Sequence, residues 1–86
     1  MEYNRINVTE VSMTIKEIEQ LLIKKKLECV YSHKRYKSYE NKQLYVVLDR
    51  LRNNLVIHTL DSRGMINPMN SGHLNFQEAY EEILQL

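Results

Sequence analysis

Among the side chains able to do chemistry, Asp49 and His58 make the most enzyme-like pair. They lie in the stretch LYVVLDRLRNNLVIHTLD, residues 44–61, where two runs rich in Leu, Val, Ile and Tyr flank Asn53 and Asn54. Asparagine tolerates the positive φ of a tight turn, so the stretch reads as a β-hairpin. An even-numbered turn at the two asparagines pairs Leu51 with Val56, Asp49 with His58 and Val47 with Leu60 on one face. Asp49 would then orient the His58 imidazole, as a general base requires. No Ser or Cys motif supplies a nucleophile beside it, so the pair reads first as a cross-strand polar contact. A small hydrolase is therefore the last of three functional readings.

Cys29, His33, His58 and His73 raise metal binding. On one strand, however, Cys29 and His33 stand about 13 Å apart, too far to share a zinc ion. Cys29 reads instead as a small half-buried hydrophobe. The only glycines, Gly64 and Gly72, match no phosphate-binding loop. Neither a metal nor a cofactor is expected.

The strongest binding signal is the segment from Lys24 to Lys42, with seven basic residues against Glu28 and Glu40. Its candidate contact residues are Tyr31, Lys34, Arg35, Tyr36, Lys37, Tyr39 and Lys42. Tyr and Arg anchor protein interfaces, whereas cations interleaved with aromatic rings also suit unpaired nucleic acid. The net charge of only +1 favours the protein reading over a phosphate-binding coat. The remainder of the chain is net acidic, with Glu78, Glu81 and Glu82 close together near its end.

These residues need elements to position them. Eighty-six residues suit a single small domain with a modest core. No apolar run is long enough for a membrane span, and no leader is evident. With a single cysteine, these features lead to the expectation of a cytoplasmic chain. Tyr3 to Val11 alternates loosely and reads as a short edge strand. Thr14-Ile15-Lys16-Glu17 fits a capping box, with Met13 and Ile18 as its hydrophobic staple. It opens a helix from Ile15 to about Lys26 whose apolar face is Ile15, Ile18, Leu21 and Leu22.

Leu27 to Lys37 then alternates as one strand, and Tyr39 to Lys42 turns into the hairpin. Both hairpin faces are apolar, one through Leu44, Val46, Leu48, Leu55 and Ile57, which places the hairpin centrally in its sheet. The stretch from Met65 to Gly72 reads as an irregular connection and candidate contact loop, with at most a brief strand near Met65 and Ile66. Asn75 caps a last helix with the stripe Phe76, Ala79, Tyr80, Ile83 and Leu84.

The order helix, three strands, helix resembles that of double-stranded RNA-binding domains, and the closing pattern from Ala79 to Leu86 is similar. Where those domains carry a lysine cluster at the start of the last helix, this chain has Asn75, Gln77 and Glu78. An acid there would repel an RNA backbone, so the resemblance is one of topology alone. The expected fold is α+β, a three- or four-stranded antiparallel sheet with two helices on one face. The expected function is that of a non-enzymatic binding module, a regulator or inhibitor that contacts a protein partner or a second copy of itself. Nucleic-acid binding is the alternative, and no membrane contact is expected.

Overall fold

A computed structural model describes residues 14–86. The expected strand from Tyr3 to Val11 and the staple residue Met13 lie outside the described residues. Helix α1 spans Ile15–Lys24, and its N-terminus has the expected capping box: the Thr14 hydroxyl accepts from the Glu17 amide, and the Glu17 carboxylate accepts from the Thr14 amide. It ends two residues earlier than the sequence suggests. Lys26 adopts φ 70°, and the Lys26 and Leu27 amides turn back to the Ile23 and Leu22 carbonyls in a Schellman closure. A lysine occupies the left-handed position usually given to glycine, at a conformational cost. Lys26→Gly is therefore expected to stabilise the chain by about 1 kcal/mol, read as a higher urea midpoint.

Five antiparallel strands follow as a meander in the spatial order of the chain: β1 (Glu28–Ser32), β2 (Tyr36–Glu40), β3 (Leu44–Asp49), β4 (Asn54–Leu60) and β5 (Ile66–Asn75). Helix α2, Phe76–Gln85, closes the described chain behind an Asn75–Glu78 capping box. The α+β class, the antiparallel sheet and the two helices match expectation, but the strand count does not. The predicted single strand from Leu27 to Lys37 is broken at His33–Arg35 by a turn without Gly, Pro or Asn. Contacts from the neighbouring loop hold that turn, and a local reading has no access to them. The predicted loop from Met65 to Gly72 is mostly strand β5, polar and register-shifted against β4, and the outermost of the described strands.

The core lies between one sheet face and the helices. Leu44, Val46, Leu48, Leu55, Ile57 and Tyr39 meet Ile18, Leu21 and Leu22 of α1 and Phe76, Ala79 and Ile83 of α2. The hairpin faces divide as the sequence indicates, and β3 is the central strand. Its register is different. Asp49 lies opposite Asn54, and Tyr45 rather than Asp49 faces His58. The turn is the four residues 50–53, two positions earlier than expected, and Asn53 supplies its positive φ of 53°. A slip of four residues, an even number, preserves the alternation of faces while changing every cross-strand partner.

Candidate functional site

The new register dismantles the Asp49–His58 pair. In register, Asp49 stands four residues, about 13 Å, along the strand from His58's partner Tyr45. The Tyr45 and His58 rings lie 6.0 Å apart and tilted by 32°. Both Asp49 oxygens are already occupied. Arg35 donates to them through Nε at 3.1 Å and a terminal nitrogen at 3.0 Å, and the Leu51 and Arg52 amides donate at 3.1 and 3.2 Å. Asp49 thus starts the β3–β4 turn and fastens the β1–β2 turn beside it. Cys29, expected to be half-buried, is exposed. Among the described residues no group of three or more His, Cys, Asp or Glu side chains is placed to hold a metal.

The seven candidate contact residues fall into three places. Lys37 and Tyr39 face the helices: Glu19 of α1 accepts from Lys37 Nζ at 2.5 Å and from the Tyr39 hydroxyl at 2.7 Å. Tyr39 is a core residue at 4 % exposure. These two form a clamp between α1 and the sheet, so they are not available as surface contacts. Lys42 sits in the β2–β3 turn at the far end of the sheet. Tyr31, Lys34, Arg35 and Tyr36 remain together around the β1–β2 turn, where the Arg35 guanidinium lies 5.0 Å from the centre of the Tyr36 ring and Tyr31 stacks on His33 at 6.4 Å.

The fold adds residues that the sequence reading placed in a strand. The β3–β4 turn carries Arg50, Leu51 and Arg52 to the same end of the sheet. The Arg50 amide donates to the Arg35 carbonyl at 2.7 Å, and its guanidinium reaches the His33 carbonyl and the Ser32 hydroxyl. Leu51 is 71 % exposed at the tip. The signal was present in Asp49-Arg50-Leu51-Arg52-Asn53, because an Asp that can accept from amides two and three residues on starts turns efficiently. Lys34, Arg35, Arg50 and Arg52 thus share one end of the sheet, with Asp49 the only carboxylate of its two loops.

Among the described residues, three carboxyl groups are held below their ordinary range. Arg35, ahead of the turn amides, lowers Asp49; the Met65 amide and then Arg63 lower Asp61; and at Glu19 burial opposes the charge but the hydrogen bonds from Lys37 and Tyr39 outweigh it. A carboxyl lowered by folding stabilises the fold above its unfolded value and loses that contribution as pH falls through the folded one. Unfolding temperature is therefore expected to hold from neutral pH to about 5 and fall steeply below about 4. In Asp49→Asn, which cannot ionise there, part of that acid decline should disappear. An acid limb identical to that of the parent chain would contradict the pairing.

No protein-family profile, curated protein or solved structure matches the chain. No described helix is long and apolar enough to cross a membrane.

Proposed function

We propose that this chain is a binding module that contacts a protein partner through the basic end of its sheet. Leu51 is the apolar anchor, Arg52 and Lys34 are the flanking cations, and Tyr31 and Tyr36 extend the contact area. The observation that carries this reading is the convergence of the β1–β2 and β3–β4 turns, which puts an exposed leucine among four cations and two half-exposed tyrosines. Mixed apolar, aromatic and arginine surface is the composition of interface hot spots. A phosphate-binding surface would keep its cations free, whereas here Arg35 is spent on Asp49 and Lys37 on Glu19. Occupying a partner's surface suits a regulator or inhibitor.

The test compares the parent chain with Lys34→Glu/Arg52→Glu and Leu51→Ser, all exposed positions where folding should persist. Affinity capture from source cells is expected to retain a specific protein on the parent chain and lose it on both variants. Fluorescence anisotropy with short single- and double-stranded DNA and RNA is expected to show no binding at moderate salt. Tight nucleic-acid binding that falls steeply with salt and vanishes in Lys34→Glu/Arg52→Glu would replace this reading with the nucleic-acid one.

A further inference from the structure

On the side of the sheet away from β5, the outermost of the described strands is β1, and all five of its residues are exposed. Above it lies a second apolar surface. Helix α1 turns Glu17, Gln20, Leu21 and Lys24 towards Tyr80 and Leu84 of α2, which packs over β4 and β5. At 100° per residue Ile23 falls on the opposite flank of α1, the flank above β1, and it is 61 % exposed. Within the strand pair, Glu28 stands directly opposite Glu40, and neither has an ion-pair partner among the described residues. Like charges so placed destabilise a sheet unless a cation stands beside them.

The path of the chain indicates what belongs at this edge. Glu19 of α1 meets Lys37 on β2, and the Lys25 carbonyl accepts from the Asn41 side chain in the β2–β3 turn. Helix α1 therefore runs from the basic end of the sheet to the far end, with Thr14 at the basic end, and β1 runs back the other way. A segment that follows β1 and then enters α1 is parallel to β1. Parallel neighbours need a crossover of about a dozen residues or more, usually a helix, and residues 12–27 with α1 at their centre provide one.

We infer that residues 3–11 dock on the outer edge of β1 as a parallel strand, with Ile6 and Val8 beneath Ile23 and Arg5 beside the Glu28–Glu40 pair. As a strand they extend about 30 Å, enough to run the length of β1. Side by side, parallel strands keep one parity on each face. Cys29 lies opposite the buried Tyr39 and so on the helix side, whereas Glu28 is on the other side. Setting Ile6 beside Cys29 puts the apolar parity under α1, brings Arg5 to Glu28 and carries Glu10 towards Lys34, so opposite charges meet at both ends. The inference is independent of the proposed use of the basic end.

Cys29 is the only cysteine and is exposed, so it reports on its neighbour. Adjacent strands lie about 5 Å apart, within the Cα separation of about 4.4–6.8 Å that a disulfide requires. Under mild oxidation Ile6→Cys in the full chain is expected to form a disulfide with Cys29 inside one chain, about tenfold or more faster than Val11→Cys, whose thiol lies beyond reach along the strand. Peptide mapping and the mass under non-reducing conditions read the result. Arg5→Glu should lower the urea midpoint, and Glu28→Lys added to it should restore the midpoint. Equal rates from positions 6 and 11, no disulfide at position 6, or disulfides only between two chains would overturn the inference, the last by giving the edge to a second copy.

Discussion

Leu48→Ala is expected to destabilise the chain by about 2–5 kcal/mol, the range for removing a fully buried leucine and leaving part of its volume empty. Leu48 has no exposed surface and lies on the central strand, opposite Leu55 on β4 and Lys37 on β2, beneath both helices. Domains of this size have a total stability on the order of 5–15 kcal/mol, so the loss is a large share of the whole. The urea midpoint should fall in proportion, while Leu48→Met, close in volume, should cost less than about 1.5 kcal/mol. A Leu48→Ala chain within about 0.5 kcal/mol of the parent would mean that the helices do not cover this face.

Glu19→Ala has the second largest expected effect, a loss of about 1.5–3 kcal/mol. One carboxylate oxygen serves both the Lys37 ammonium and the Tyr39 hydroxyl, and Lys37 also lies 5.6 Å from the centre of the Tyr39 ring. Removing Glu19 leaves a half-buried cation and a buried phenol without their acceptor, and that penalty exceeds the net value of the bonds themselves. Glu19→Leu combined with Lys37→Met removes both charges together and should recover most of the loss, because a well-packed apolar pair replaces a desolvated ionic one at little cost. Additive effects of the two single changes would show that Glu19 and Lys37 are not coupled.

What could be read from the sequence follows how local each determinant is. Both capping boxes, the apolar faces of the helices and the alternation in β3 and β4 depend on residues within a few positions of one another, and each is present in the fold, except that Leu84 of the expected α2 stripe is exposed. The turn at His33–Arg35 has no residue that favours a turn by itself. It is held by Asp49 and Arg50, fourteen or more residues away, so the segment reads as one strand where the fold has two. Strand β5 was hidden for a different reason: Asn67, Pro68, Asn70 and Gly72 are poor strand formers, and the pairing with β4 that holds them is not local.

The candidate site shows the same limit. Tyr31, Lys34, Arg35 and Tyr36 stand together because they are neighbours in sequence, whereas Arg50, Leu51 and Arg52 join them only through the strand register. Lys37 and Tyr39 belong to the same basic run, but their parity on β2 turns them towards α1. A charge count along the chain cannot separate a cation facing solvent from one already paired beneath a helix.

The most direct measurement of the central claim is photo-crosslinking in source cells, with a benzophenone side chain at position 51 and a control at position 63. Position 51 is expected to give a discrete protein adduct that disappears when Lys34 and Arg52 are changed to Glu, while position 63 gives none. Adducts to nucleic acid alone, equal adducts from both positions, or no adduct at position 51 would contradict the assignment of the basic end as the protein-binding surface.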